Sequence, residues 1–213
     1  MTEKAGLPCK GGLYAEGRIV MKREPELKTY IFVKRTMERR RYNNLLIIAG
    51  TGRGSGKTTL ACLIIRRFSH LGPLAIKISP HYHSPGKGLV DWHTGANFNI
   101  YRESSKTGGK DTARMLESGA SVVYYIQAYD SHVHEAFELL AGKLDPERPL
   151  VCESPSLGKY ISPGVLFIAD SDLVQNRKDL GALIQRTDST MNPLAGEADI
   201  GGLNFSGGGW VFR

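Results

Sequence analysis

Residues 45–59 read LLIIAGTGRGSGKTT, a short apolar run followed by a glycine-rich loop that ends in Gly-Lys-Thr. The run before Gly50 is apolar on both faces, which is typical of a buried parallel strand. From Lys57 to about His70, apolar residues recur at helical spacing until a Gly-Pro pair ends the pattern. The sequence therefore predicts a strand, a glycine-rich loop and a helix in direct succession.

A glycine-rich loop between a strand and a helix is typical of a phosphate-binding site. Its glycines let successive backbone N–H groups turn inward, the helix start adds a positive dipole, and the Lys57 amine can reach the outer phosphates. The Thr58 hydroxyl would then be a Mg²⁺ ligand. The Arg53 side chain would fold over the phosphates, reach the nucleotide of a second subunit, or remain solvated. The predicted nucleotide-binding residues of the loop are Gly52, Arg53, Gly54, Ser55, Gly56, Lys57, Thr58 and Thr59.

The loop departs from the usual spacing, in which a glycine, four residues and Gly-Lys follow one another. Thr51 stands where that first glycine belongs. Counting from Gly50 instead gives a loop that is one residue longer.

The rest of the chain alternates strand-like and helix-like segments. Apolar runs recur at 74–78, 122–126, 150–152 and 165–169, and helix-like stretches lie at 111–117 and after Asp130. This alternation predicts an α/β protein with a mostly parallel sheet and helices on both faces. Together with the glycine-rich loop between a strand and a helix, it predicts a three-layer P-loop NTPase fold.

Two further segments carry structural predictions. Residues 80–110 are rich in Gly, Pro, His, Ser and Lys, which predicts a long functional loop. Residues 201–213 place two short apolar stretches around a serine and three glycines, which predicts a C-terminal hairpin.

The charge is concentrated in a basic N-terminal extension. Of the net +7, residues 1–42 hold 11 Lys and Arg against 5 Glu, whereas residues 43–213 hold 17 basic against 16 acidic side chains. We expect strands at 18–21 and 30–33 to pack on the sheet edge, beside a nucleotide-binding domain over 43–213. A nearly neutral domain lacks the continuous basic face that binds a phosphate backbone, so no nucleic acid partner is expected.

Cysteine usage and hydropathy indicate the compartment. The three cysteines are scattered, without a C-x-x-C pair, which fits a reducing cytosol. The longest unbroken apolar runs are near five residues, far below the ~20 that a membrane span needs. We therefore expect a cytoplasmic protein with no membrane partner.

Polar side chains follow the later predicted strands at their carboxyl ends, where open α/β sheets bind ligands. Glu153 ends one strand and is predicted to hold Mg²⁺ opposite Thr58. Lys77 interrupts another strand; a buried lysine needs an anion, so we expect a phosphate or carboxylate partner, with snorkelling to solvent as the alternative. N-capping would account for Asp111 and for Asp170, although each could also face the site.

Three features carry weaker signals. The segment 176–179, Asn-Arg-Lys-Asp, loosely matches a guanine-reading motif, which predicts base contacts from Asn176 and Asp179; a solvated helical turn is the alternative. The His-x-His pair at 81–83 would flank substrate or bind a transition metal, and the pair at 132–134 is expected at the surface. Cys62 and Cys152 lie in apolar runs, and we expect both in the core.

Over roughly residues 45–170, the chain resembles the molybdopterin-guanine dinucleotide biosynthesis adapter protein B family. The resemblance rests on the loop with Gly-Lys-Thr-Thr-Leu, on the strand with Lys77, and on Gly-Lys-Asp-Thr-Ala-Arg at 109–114 followed by Ser-Gly-Ala at 118–120. It implies a P-loop GTPase-like fold that binds GTP, often as a homodimer, and serves a guanylyltransferase of molybdenum-cofactor assembly. It also implies a role for Asp111 near the γ-phosphate or the magnesium ion.

A second resemblance is to dethiobiotin synthetase, which shares the same parent fold. The longer loop has the spacing of that enzyme, and Lys77 and Glu153 fall where it carries a substrate- or phosphate-facing lysine and a magnesium-binding glutamate. This resemblance implies that ATP phosphorylates a carboxylate or hydroxyl held near Lys77 and the 80–110 segment.

The sequence thus leaves three functions open. The first is a GTP-binding adapter with slow Mg²⁺-dependent hydrolysis, the second is an ATP-dependent small-molecule kinase or ligase, and the third is a non-catalytic nucleotide-binding module. For the catalytic functions, the predicted reacting groups are Lys57, Lys77 and Asp111.

Overall fold

The computed structural model describes residues 39–194 and 199–213. The strands predicted at 18–21 and 30–33 lie outside the described residues. The described residues belong to one compact unit, Arg39–Arg213.

The described residues form ten strands and three α-helices. The strands are β1 (Arg41–Gly50), β2 (Leu74–Ser79), β3 (Leu89–Thr94), β4 (Phe98–Glu103), β5 (Val122–Ala128), β6 (Leu150–Glu153), β7 (Ser162–Ala169), β8 (Ser189–Met191), β9 (Leu203–Ser206) and β10 (Gly209–Phe212). The helices are α1 (Lys57–Arg67), α2 (Asp111–Glu117) and α3 (Val133–Ala141). Short 3-10 turns cover Ser69–Leu71, Asp130–His132, Leu157–Lys159 and Gly181–Arg186.

Eight strands form one mixed sheet in the order β3-β4-β5-β2-β6-β1-β7-β8. In this order, the last six strands, β5-β2-β6-β1-β7-β8, pair in parallel with their neighbours. Within this sheet, β4 pairs antiparallel with both β3 and β5. The predicted mostly parallel α/β sheet is confirmed. Because β1, β2, β6 and β7 run the same way, their carboxyl ends lie along one edge of the sheet.

The central strand β1 is buried on both faces. Residues 45–49 are all 0% exposed, as a continuous apolar run in a covered parallel sheet requires. Alternate side chains of β1 enter two separate cores: Leu45 and Ile47 pack with α3, whereas Leu46 and Ile48 pack with α1 and α2. Helices therefore cover both faces of the sheet, as predicted.

The helices agree closely with the sequence patterns. The α1 helix begins at Lys57 as predicted and continues into a 3-10 turn that ends at Gly72, whose φ is +59°. The predicted helix at 111–117 is α2, and the helix expected after Asp130 is α3, preceded by a 3-10 turn.

The prediction of a long loop over residues 80–110 is wrong. The segment contains the antiparallel pair β3 and β4, and β4 continues the sheet by pairing with β5. The β4 residues Phe98 and Ile100 are buried, whereas β3 is an edge strand with mostly exposed side chains. Outside the two strands, the segment forms loops before β3 and after β4 and a short connection between them.

The predicted C-terminal hairpin is confirmed as the separate antiparallel pair β9 and β10. Trp210 anchors it: the side chain is 3% exposed, its ring meets Phe68 of the α1 side edge-on at 4.9 Å, and its Nε1–H donates to the Leu150 carbonyl at 3.3 Å. The hairpin thereby completes the core on the α1 face.

Replacing Trp210 by alanine is expected to lower the free energy of unfolding by about 3–5 kcal/mol, because it removes a buried aromatic side chain and its packing. Urea unfolding measures the loss. Val211→Ala, on the more exposed side of the same strand, should change stability by about 1 kcal/mol or less. Similar losses in both variants would show that the hairpin does not depend on this contact.

Within the described ranges, none of the helices has the length and apolar character needed to cross a bilayer.

Candidate functional site

The glycine-rich loop between β1 and α1 folds back over the end of its own strand. A Cβ at Gly50 would lie 2.4 Å from Ser55 Oγ and 2.6 Å from Lys57 Cγ, so a larger residue here would displace both side chains. Gly56 precedes the helix with a φ of +85°, and no side chain caps the first turn of α1. The N-terminal N–H groups of an eleven-residue helix therefore remain available to an anion.

Thr51, the residue that replaces the expected glycine, ties the loop to β7. Its N–H donates to the Ala169 carbonyl at 3.2 Å, and its hydroxyl donates to Asp170 Oδ1 at 2.5 Å. Its carbonyl accepts from the Lys178 N–H at 2.6 Å. The longer loop is thus held from both sides at its first residue.

Asp170 is an anchor for this loop rather than a helix cap. Besides Thr51, it accepts from the Ser171 N–H at 2.8 Å and forms an ion pair with Arg177. Burial alone would raise the pKa of Asp170, but the hydrogen bonds from Thr51, Arg177 and Ser171 outweigh it and hold the pKa below its ordinary value. No helix follows Asp170, so the alternative of an N-cap is wrong.

Asp170→Asn is expected to lower the free energy of unfolding by about 1–2 kcal/mol at neutral pH, because it removes charge-assisted hydrogen bonds. A carboxylate with a depressed pKa stabilises the fold above its unfolded pKa and loses that contribution as pH falls through the folded value. The difference between wild type and variant should therefore shrink below about pH 4. Urea titrations from pH 7 down to this range would measure it; a difference independent of pH would contradict the anchor.

The Lys57 side chain lies within the loop. Its Nζ donates to the Gly52 carbonyl at 2.7 Å and to Ser55 Oγ at 3.1 Å. Burial lowers the pKa of Lys57, against the opposing charge of Glu153. A partly desolvated amine held by one loop carbonyl and one hydroxyl is well placed to exchange those contacts for phosphate oxygens.

Four side chains from four different elements meet beside the loop. Thr58 Oγ1 donates to Glu153 Oε2 at 2.7 Å, and Lys77 Nζ contacts Glu153 Oε1 at 2.9 Å and Asp111 Oδ2 at 2.5 Å. The Glu153 side chain is 5% exposed and that of Lys77 19% exposed. Lys77 has the carboxylate partners that its burial required, and it does not snorkel to solvent.

The pKa shifts in this cluster follow from burial and charge together. Burial alone would lower the pKa of Lys77, but the charges of Glu153 and Asp111 outweigh it and raise the pKa above its ordinary value. Burial alone would raise the pKa of Asp111, yet Lys77, the Thr58 hydroxyl and Arg114 hold it below its ordinary value. Lys77 is therefore cationic and Asp111 anionic at neutral pH. The N-cap residue of α2 is Lys110 and Asp111 is the first residue of the helix, so the N-cap interpretation of Asp111 is wrong.

The loop and the cluster line one cleft of about 490 Å³. Its described lining contains five basic side chains against two acidic ones, and Lys77 is already paired with the two acids. The remaining excess of positive charge suits an anionic ligand. The basic residues are Arg53, Lys57, Lys77, Arg114 and Lys178, and the acidic ones are Asp111 and Glu153.

The cleft brings together most of the predicted site residues but not the pair from the guanine-reading motif. All of Gly52 to Thr59 line it, with Lys77, Asp111 and Glu153. Asp179 instead accepts from the Gly181 N–H at 2.7 Å within its own turn and lines a different cavity. The Asn176 carbonyl oxygen would lie 3.0 Å from a Cβ at Gly52, and Asn176 is not among the residues that line the cleft.

Sequence reasoning missed Lys178 and Arg114 as residues of the cleft. Lys178 lies inside the segment 176–179 that is predicted to contact the base, and the hydrogen bond from its N–H to the Thr51 carbonyl brings it to the cleft. Arg114 lies three residues after Asp111 on α2, and its Nη1 is 3.8 Å from Asp111 Oδ1. Residues three apart on a helix lie on the same face, so the predicted helix at 111–117 already indicates this contact.

The histidine pairs do not build a metal centre. Across the described ranges, 39–194 and 199–213, no group of three or more His, Cys, Asp and Glu is placed to hold a metal ion. His81 lines the cleft, whereas His132 and His134 are surface residues beside Glu135 and Glu138, as expected for that pair. Cys62 and Cys152 are buried in the core, as predicted.

No protein-family model, curated protein or solved structure matches the chain.

Proposed function

We propose that the chain binds a nucleoside triphosphate with Mg²⁺ in this cleft and hydrolyses it slowly. The observation that carries the proposal is the junction of loop and helix, where Lys57 and Thr58 begin an uncapped helix and Thr58 meets Glu153 at 2.7 Å. A glycine-rich loop, a helix N-terminus, an amine and a hydroxyl–carboxylate pair together suit the phosphates of a nucleotide.

Phosphate recognition would fall to the loop itself. The backbone N–H groups at the start of α1 and the Lys57 amine would donate to the phosphate oxygens. Arg53 and Lys178 add positive charge at the rim of the same cleft. The segment 170–178 holds the loop in shape through Thr51, so little ordering would be needed on binding.

The residues present fit a magnesium ion. Mg²⁺ takes oxygen ligands at ~2.0–2.1 Å in octahedral geometry, which places adjacent ligand oxygens roughly 3 Å apart. Thr58 Oγ1 and Glu153 Oε2 are 2.7 Å apart at the cleft wall. Mg²⁺ is usually held by one or two carboxylates together with substrate phosphates, so this small donor set is sufficient. When bound, the metal neutralises charge on the phosphoryl group.

The chain's own contribution to hydrolysis would be electrostatic. Lys57 and the loop N–H groups would stabilise charge on the transferring phosphoryl group, with no covalent intermediate. Lys77 would act as a positioning residue, because its charge is already shared between Glu153 and Asp111 and fixes both carboxylates. Asp111 has a depressed pKa and would therefore be a weak proton acceptor, which fits slow turnover.

Among nucleotides, we favour GTP, with a guanylyltransferase of molybdenum-cofactor assembly as partner. The support is the resemblance of the loop and of the 109–120 segment to the adapter family. Because Asp179 lines a different cavity, the guanine-reading motif adds no support.

The second candidate is transfer of phosphate from ATP to a small molecule. The observation that favours it is a second cavity of about 330 Å³, whose lining shares Lys77 and Asp111 with the cleft. Such an adjoining cavity would give an acceptor a place next to the triphosphate.

Phosphate release from GTP and from ATP, with and without Mg²⁺, tests these alternatives. The adapter proposal predicts slow release that requires Mg²⁺ and only water as co-reactant, faster with GTP. Release that requires an added metabolite would favour the second candidate. No release from either nucleotide, with binding retained, would favour a non-catalytic nucleotide-binding module.

A further inference from the structure

The second cavity lies between the loops on either side of the β3–β4 pair and the carboxyl end of β5. It has a volume of about 330 Å³. Ligand pockets typically range from ~300 to 1,000 Å³, so this volume is at the lower limit and suits a small molecule rather than a second nucleotide. One wall is the ion pair of Lys77 and Asp111, whose other side faces the nucleotide cleft.

Buried polar side chains hold the two loops that border the cavity. Gln127 is 1% exposed, and its side-chain amide donates to the His83 carbonyl at 2.8 Å. Glu103 is 4% exposed and accepts from the Ser104 and Ser105 N–H groups and from the Thr112 hydroxyl. Each loop is therefore fixed by a buried polar group with satisfied hydrogen bonds, as in preformed sites.

Lys110 is the cation in the described lining of this cavity that has no carboxylate partner. Lys77 pairs with two carboxylates, whereas no hydrogen bond or ion pair within the described ranges engages the Lys110 amine. That amine lies against Gly86 on the opposite loop, where an added Cβ would be 1.5 Å from Nζ. Lys110 is an exposed residue whose amine reaches the facing loop, and its charge is available there to an anionic group.

We propose that this cavity binds a small organic anion, a carboxylate or a phosphate ester. Its charged group pairs with Lys110, and its other end contacts the Lys77–Asp111 wall. The place of this ligand beside a triphosphate rests on the proposed function, but its binding depends on Lys110 and not on Lys57.

Titrations of the full chain with glutarate and with glycerol 3-phosphate, followed by amide chemical shifts, test the proposal and distinguish the two anion types. At least one probe is expected to shift the Gln127 side-chain amide and the amides of Gly86 and Gly109. Lys110→Ala should weaken that binding about ten-fold or more, as loss of a charge-assisted contact of about 1.4 kcal/mol implies. Lys110 is exposed, so the variant should remain folded.

Two further variants separate the outcomes. Lys106→Ala removes an exposed lysine outside the described lining of both cavities and should leave anion binding unchanged. Lys57→Ala should lose triphosphate binding and keep anion binding. Failure of the wild type to bind either probe, or equal affinity in Lys110→Ala, would overturn the proposal even if the triphosphate binds. Anion binding that depends on Lys110, in a wild type that binds no triphosphate, would instead overturn the proposed nucleotide function.

Discussion

Replacing Lys57 by alanine is expected to abolish triphosphate binding, with affinity reduced about 100-fold or more, while the domain stays folded. The amine is the cation nearest to the loop interior, where it contacts Gly52 and Ser55. A charge-assisted contact with phosphate of about 3 kcal/mol would account for that factor. Because burial already penalises this amine, its removal should cost little unfolding free energy. Calorimetric titration with Mg²⁺ and GTP or ATP measures the affinity.

The matched control is Lys143→Ala, which removes an exposed lysine after α3, away from the cleft. It should bind triphosphate like the wild type. Wild-type affinity in Lys57→Ala would refute the assignment of the loop as the phosphate site.

Glu153→Gln is expected to weaken Mg²⁺-dependent triphosphate binding about 10- to 100-fold, while Mg²⁺-free binding changes little. Glutamine keeps the shape of the side chain but removes the negative charge that pairs with Lys77 and faces the Thr58 hydroxyl. The free energy of unfolding should also fall by about 1–3 kcal/mol, because Lys77 retains only one carboxylate partner. Titrations with and without Mg²⁺, together with urea unfolding, separate the two effects.

Glu103→Gln is the control for this experiment. Glu103 is buried like Glu153, but it holds the loop before α2 and lies outside the cleft. We expect this variant to lose stability without changing the ratio of Mg²⁺-dependent to Mg²⁺-free affinity. Equal losses with and without Mg²⁺ in Glu153→Gln would remove Glu153 from the metal site.

The parallel part of the fold could be predicted because its strands are buried on both faces. A strand such as β1 must be a continuous apolar run, and helices between such runs force parallel pairing. The first turn of α1 followed from the glycine-rich loop. These signals are local in sequence, so they do not require knowledge of the partners.

The β3–β4 pair was missed because its edge strand lacks an apolar run. The side chains of β3 are mostly exposed, and the strand forms through pairing with β4. The β4 sequence Phe-Asn-Ile-Tyr-Arg-Glu does place Phe98 and Ile100 on one buried face. That alternation of apolar and polar residues is typical of a strand, whereas the Gly, Pro and His residues around it are typical of a loop.

The site residues likewise include some that a local sequence pattern predicts and some that it does not. Lys77 and Glu153 were identifiable because both lie near the carboxyl ends of neighbouring parallel strands, with Lys77 opposite Glu153 in the register of β2 and β6. The tie between Thr51 and Asp170 spans 119 residues, and no local pattern encodes it. The motif at 176–179 predicts base contacts from Asn176 and Asp179. The hydrogen bond from the Lys178 N–H to Thr51 instead brings Lys178 to the cleft, whereas Asp179 accepts within its own turn.

Calorimetric titration of the wild-type protein with GTP and with ATP, in the presence of Mg²⁺, tests the central claim most directly. We predict saturable binding of triphosphate at one site per chain, stronger for GTP and weakened when Mg²⁺ is withdrawn. Stronger binding of ATP would favour the small-molecule kinase or ligase. Binding of neither nucleotide would contradict the assignment of this cleft as a nucleotide site.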